Sequence, residues 1–136
     1  MSYWRLFYHA VWGTKNRLPL IEPAWEADLY GYLWGKATAL ECIPHAINGM
    51  SDHNHVVISI PPKIAVATLV GQLKGASSHY LNEKYAKGTF AWQAEYGVLS
   101  FSERSLNRVV EYVKNQKKHH AESTLNIAME NFGMDE

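Results

Sequence analysis

Hydrophobic and polar positions change their spacing several times along the chain, and each change marks an element. Residues 3–12, Tyr-Trp-Arg-Leu-Phe-Tyr-His-Ala-Val-Trp, are aromatic and β-prone and read as a first strand. Residues 13–20 carry Gly, Lys, Asn, Arg and Pro and read as a loop. Pro23 suits the first turn of a helix, and Leu29, Tyr32 and Leu33, with Trp25 and Lys36, keep helical spacing, which predicts a helix over 23–40. Residues 42–50 read as a second strand, Gly49-Met50-Ser51-Asp52 as a turn, and 53–60 as a third strand that Pro61-Pro62 ends. Val66, Leu69, Val70, Leu73, Ala76, Tyr80 and Leu81 predict a long second helix over 64–85. A loop from Phe90 leads to a fourth strand around 97–101. Ser102 is a good N-cap for a third helix running to about 119, whose buried stripe is Leu106, Val109, Val110 and Val113. The tail, 121–136, is expected to be partly helical.

The order of the first six elements is strand, helix, strand, strand, helix, strand. It predicts an α+β fold of the ferredoxin-like βαββαβ type, an arrangement shared with RNA-recognition domains, with the third helix as an addition. No repeat, linker or low-complexity segment divides the chain, so residues 1–136 read as one domain.

Composition changes this picture little. At 47% apolar residues the chain is an ordinary globular one. Net charge is zero, which argues against nucleic-acid binding by bulk charge and leaves local clusters such as Lys114, Lys117 and Lys118, or Lys15 and Arg17, to act if any do. The single cysteine, Cys42, reads as a small buried residue in a reducing, cytoplasmic setting. No signal peptide and no membrane span are expected.

Two pairs of residues carry candidate chemistry. His53 and His55 form a His-x-His pair. On a strand they share a face with Cα atoms roughly 7 Å apart, close enough for both imidazoles to reach one metal ion. One packed and one surface histidine is the alternative. Tyr112 and Gln116 lie four apart on the third helix and share a face, about 6 Å apart along the axis. A boundary tyrosine beside a solvated glutamine is the alternative there. Taken together the four make chemical sense. A tyrosine can attack phosphorus to form a phosphotyrosine while the other DNA end leaves as a 3′-hydroxyl, although a phenol with a reference pKa near 10 needs assistance. A metal held by two imidazoles and an amide oxygen would orient and polarise the phosphate. That donor set suits Mn²⁺ or Mg²⁺, and imidazoles alone also accept Zn²⁺.

These residues sit in motifs that resemble the HUH-type single-tyrosine transposases of small insertion sequences (the insertion-sequence 200/605 type) and their REP-associated relatives. Asp52-His53-Asn54-His55 is similar to their histidine motif, and Tyr112-Val113-Lys114-Asn115-Gln116 to their tyrosine-helix motif. Val11-Trp12-Gly13-Thr14-Lys15, Leu73-Lys74-Gly75 and Trp92-Gln93-Ala94-Glu95-Tyr96-Gly97 match in order, so the resemblance spans about residues 4–120. It implies a ferredoxin-like fold, Tyr112 as nucleophile, and His53, His55 and Gln116 as ligands of Mg²⁺ or Mn²⁺. It also implies single-stranded DNA hairpins as partners and a homodimer, joined sheet edge to sheet edge, whose active sites can be shared between chains. Asn54 stands where relatives carry a bulky hydrophobic residue, at a position expected to point away from the metal. His119 and His120 read as exposed helix-end histidines, with contact to phosphate or metal as the alternative, and His9, His45 and His79 receive no role.

The resemblance predicts a transposase. A domesticated nuclease using the same chemistry on chromosomal repeats is the first alternative. A non-catalytic RNA-recognition-type domain, stacking bases on Trp4, Phe7 and Tyr8, is the second. A closed structural zinc site fits poorly, because two histidines and a glutamine do not make one.

Overall fold

The computed structural model describes residues 2–133. Four strands, β1 (Phe7–Gly13), β2 (Ile43–Met50), β3 (His53–Ser59) and β4 (Gly97–Phe101), form one antiparallel sheet in the order β2-β3-β1-β4. This is the ferredoxin-like order that the element sequence predicts. Helices α1 (Glu26–Ala39) and α2 (Val66–Leu81) cover one face. Helix α3 (Leu106–Lys114) covers the other and is followed by α4 (Gln116–Glu122) and the short α5 (Ile127–Glu130). Among the described residues no helix is long and apolar enough to cross a membrane.

Strand alternation divides the sheet into two chemically different faces. Ala10 and Trp12 of β1 and Val56 and Ile58 of β3 join Leu29, Leu33, Leu69 and Leu73 in the main core beneath α1 and α2. Val57 packs with Ala46, Val109 and Val113 in a smaller cluster beneath α3. His9, His53 and His55 are in phase with Val57 and therefore belong to that second side, where all three are buried. Asn54 pairs with Trp12 and lies on the opposite side, as expected.

Strand and helix limits are shorter than the residue pattern suggests, each for a physical reason. β1 begins at Phe7, not at residue 3, because Phe7 pairs with Ser59 and Phe101, the last residues of both neighbouring strands, so residues before it have no ladder to join. Phe7 is buried and Trp4 lies outside the sheet, so the base-stacking platform of an RNA-recognition domain is not assembled. Residues 23–25 form a turn ahead of α1. α2 ends at Leu81 and runs into a wider turn, Asn82–Ala86, closed by Lys87 in the left-handed conformation. Ser102 makes no side-chain cap. It precedes a 3₁₀ turn, Glu103–Ser105, so α3 starts later than expected. The predicted third helix also divides at Asn115, where φ is −100° and ψ is 24°.

The β2–β3 hairpin sets the position of the histidines, and Gly49 is its tightest point. A Cβ there would stand 2.2 Å from the His53 carbonyl oxygen and 2.7 Å from the Asn54 Cα, both backbone atoms that cannot swing aside. Gly49→Ala is expected to cost about 3 kcal/mol in urea unfolding. A change within about 0.5 kcal/mol, as at an unconstrained surface position, would show that the hairpin tolerates a side chain there.

Candidate active site

The two β3 imidazoles are fixed from behind by different partners. His53 Nδ1 lies 2.7 Å from Asp52 Oδ1, and Arg17 holds the same carboxylate at 3.1 Å. Asn16 and Arg17 adopt positive φ in the tight turn after β1, a strained conformation that aims Arg17 at Asp52. His55 Nδ1 lies 2.8 Å from His9 Nε2, ring on ring at a centroid distance of 5.0 Å. With both Nδ1 atoms engaged, both Nε2 atoms face the same region beneath the tyrosine helix.

α3 and α4 bring the rest of the expected set. The Tyr112 ring stands edge-on to His55 at 6.2 Å. Gln116 is fully buried, its Oε1 3.4 Å from His53 Nε2 and 3.1 Å from His120 Nε2. The division at Asn115 is slight: the Asn115 N–H still reaches the Glu111 carbonyl at 3.1 Å, and the His119 N–H reaches Asn115 at 2.9 Å. Tyr112 and Gln116 therefore keep the common face that their spacing predicts. All four predicted residues meet within one chain.

His119 and His120 correct the sequence reading. Neither simply points into solvent: His119 stacks on the Tyr112 ring at 4.6 Å, and His120 lies 5.0 Å from the His53 ring. The signal was present in the spacing, because His120 follows Gln116 by four and His119 follows Tyr112 by seven, the offsets of a shared helix face.

Glu130 was not foreseen at all. It ends α5, whose Asn126 cap accepts the Met129 N–H at 3.3 Å and whose Asn126 N–H donates to the Tyr112 hydroxyl at 3.0 Å. The Glu130 carboxylate lies where the histidines converge. Oε1 is 3.3 Å from His53 Nε2, 3.3 Å from His55 Nε2 and 3.6 Å from His120 Nε2. Oε2 accepts hydrogen bonds from the Tyr112 hydroxyl and, at 3.1 Å, from Gln116 Nε2. Phe132 anchors this segment. It is buried against Gly13, with the Arg17 guanidinium 4.7 Å from its ring centre.

Charge in the site is tightly coupled. Burial pushes the His53 imidazolium down, but the Asp52 and Glu130 carboxylates outweigh it and hold the group up at about 9. Burial raises the Glu130 carboxyl, yet its contacts with His53 and His55 carry it well below the ordinary carboxylate range. Burial lowers His55 and His120, partly offset by Glu130. Tyr112 is pushed up to about 12, by burial first and then by the Glu130 carboxylate beside it. The site as built keeps the phenol protonated, and added positive charge would oppose that.

The donor set fits a divalent cation. Ligand atoms of His53, His120 and Glu130 all lie within 4.8 Å of one another. His55 Nε2 is buried and faces them, 3.3 Å from Glu130 Oε1, so it offers a ligand atom to the same region when its hydrogen sits on Nδ1. Imidazole nitrogens with an amide and a carboxylate oxygen form a mixed set that Mn²⁺ or Mg²⁺ accepts.

Comparison with known proteins gives the family and the fold. The family model described as "Transposase IS200 like" matches residues 2–116. The chain is 32% identical over 124 residues to the transposase for insertion sequence element IS200 of Salmonella typhimurium, covering 83% of this chain and 78% of that protein. It is 28% identical over 121 residues to the ISDra2 transposase TnpA of Deinococcus radiodurans, covering 83% and 85%. A crystal structure described as that of a candidate transposase from Deinococcus radiodurans superposes with a TM-score of 0.69 at 26% identity, over 85% of this chain and 95% of that one. A REP-associated tyrosine transposase bound to a REP hairpin shares the fold, with a TM-score of 0.67 at 13% identity, over 88% and 74%.

The coupling of Glu130 with His53 has a pH signature. A depressed carboxyl stabilises fully above its ordinary value of 4.5 and loses that contribution as pH falls. A raised imidazole stabilises fully below 6.5 and loses its contribution as pH rises through about 9. In chelator, Glu130→Gln should therefore cost about 2 kcal/mol near pH 6 and less toward either extreme, measured by urea unfolding across the range. A cost that does not vary with pH would mean that Glu130 acts through packing alone.

Proposed function

This chain belongs to the IS200-like transposase family, and from that premise we propose that it cuts and rejoins single-stranded DNA as a metal-dependent endonuclease and strand transferase, through a covalent 5′-phosphotyrosine intermediate. One observation carries the reading: the Tyr112 hydroxyl, the His53 and His55 Nε2 atoms and the Gln116 amide converge on one small region. Neither a binding module nor a structural metal site needs a tyrosine there.

In this reading Tyr112 Oη attacks the scissile phosphorus. An O–P bond to tyrosine forms, the P–O3′ bond breaks, and the departing strand leaves as a 3′-hydroxyl that takes up a proton. Glu130 Oε2 accepts the phenolic hydrogen bond in the DNA-free protein, and the proton that Tyr112 gives up passes to solvent as the O–P bond forms. Rejoining is the reverse step with a new 3′-hydroxyl, and it needs no ATP because the phosphoester energy is kept in the tyrosine linkage. His53, His55 and Gln116 would hold Mg²⁺ or Mn²⁺, with His120 and Glu130 in reach. When bound, such an ion would supply polarisation of the phosphate and offset the charge that builds on it. Glu130 and a scissile phosphate are both anions drawn to the same imidazoles, so the DNA must turn the carboxylate aside.

The substrate proposed is single-stranded DNA bearing a hairpin, met in the cytoplasm, and the working unit proposed is a homodimer. Support for the hairpin comes from the family and from the REP-associated structure that shares the fold. Within the single chain, Tyr112 stands beside His53 and His55, an arrangement compatible with sites used singly or shared between chains.

The test uses labelled hairpin DNA, a denaturing gel for covalent adduct, and a native gel for binding. With Mn²⁺ the protein should give an adduct that chelator removes. His53→Ala and His55→Ala should lose the adduct while still shifting the hairpin, and Gln116→Ala should lose less, since water can replace a neutral oxygen ligand. Adduct formation at the normal rate in either histidine variant would contradict the metal role. Hairpin binding without adduct under any metal would favour a binding domain.

A further inference from the structure

His9 belongs to the site although neither its motif context nor the family match assigns it anything. It is 1% exposed on β1, and its Nε2 is the hydrogen-bonding partner of His55 Nδ1 at 2.8 Å. We propose that His9 is a positioning residue that fixes the tautomer and ring orientation of His55, so that the His55 Nε2 lone pair is presented to the metal. This rests on the metal reading above.

The argument follows one proton. An imidazole that binds a cation through Nε2 must carry its hydrogen on Nδ1. The group that faces His55 Nδ1 is His9 Nε2, so His9 must accept there and carry its own hydrogen on Nδ1. Two touching imidazoles that share one proton in this way are both neutral, which suits a pair sealed inside the sheet where an unpaired charge is costly. His9 Nδ1 is buried with no hydrogen-bond partner among the described residues. A buried polar atom left unpaired needs a reason for its presence, and the acceptor on the other side of the same ring supplies one.

The two ligand histidines are thus supported unequally. His53 Nδ1 faces the Asp52 carboxylate, itself held by Arg17 near the surface. His55 is fully buried and faces a neutral ring instead. Support of this kind usually changes metal affinity about tenfold to a hundredfold when it is removed. Simple packing is the competing explanation, because the His9 and His55 rings also stack at an interplanar angle of 25°. Packing and acceptor can be separated. Phenylalanine keeps an aromatic ring without the acceptor. Glutamine places an amide oxygen at about the reach of Nε2, whereas asparagine does not extend that far.

The experiment is Mn²⁺ binding to the full chain without DNA, by calorimetry and by the electron paramagnetic resonance signal of free Mn²⁺. His55→Ala serves as the control that should lose the site. His9→Phe is expected to weaken Mn²⁺ binding about tenfold or more, His9→Gln to recover most of that loss, and His9→Asn to remain weak. Wild-type affinity in His9→Phe overturns the proposal. So does a His9→Gln variant no better than His9→Asn, a comparison that stands even if the phenylalanine variant does not fold. Absence of saturable Mn²⁺ binding by the wild-type chain would overturn the metal reading together with this one. Wild-type binding lost in His55→Ala but untouched at position 9 would overturn this one alone.

Discussion

The site depends on the two-residue repeat of β3. Because successive side chains on a strand alternate, His53 and His55 share the face beneath α3 while Asn54, Val56 and Ile58 face the other helices. A register slip of one residue would bury the histidines in the apolar core and turn Asn54 to the tyrosine. Pairing on both sides prevents it. β3 lies between β1 and β2, paired without interruption to β1 and, from Val57 back to His53, in constant register with β2 before an irregularity at Pro44–Ala46. The imidazoles are therefore presented by a buried central strand, and Tyr112, Gln116 and Glu130 reach them from the helix side.

Burial has a consequence for charge. Several titratable groups share a small volume, and they balance by pairing: His53 with Asp52 and Glu130, His55 with the neutral His9, Tyr112 with Glu130. The zero net charge of the whole chain conceals this local arrangement. The imidazole of the cluster that favours a positive charge, His53, sits between two carboxylates, Asp52 and Glu130. A cation or a phosphate entering the cluster competes with the pairings that Glu130 makes to His53 and Tyr112, which ties metal, substrate and protonation of the nucleophile to one another.

The fold was legible because strand and helix patterns were strong and their order admits few arrangements. His53, His55, Tyr112 and Gln116 were legible because each pair obeys the repeat of its own element. His119 and His120 follow the same helical rule, but their place at the end of the predicted helix, where the dipole favours solvated histidines, masks it. The division at Asn115 left no mark in the hydrophobic pattern. Glu130 could not be read at all: it stands 18 residues beyond Tyr112, on a one-turn helix held by the Asn126 cap and the Phe132 anchor, and only tertiary packing brings it in. His9 was hidden for a related reason. Its partner is 46 residues away on a neighbouring strand, and a buried histidine in an aromatic strand looks like any other core residue.

The central claim is that Tyr112 forms the covalent bond to DNA. The most direct measurement is mass spectrometry of peptides from the protein after reaction with a short single-stranded substrate and Mn²⁺, locating the residue that carries the 5′-phosphate. The account predicts a nucleotide phosphate on the peptide containing Tyr112, bonded to its phenolic oxygen. A phosphate found on any other residue, or DNA cut with free ends and no protein linkage, would contradict it.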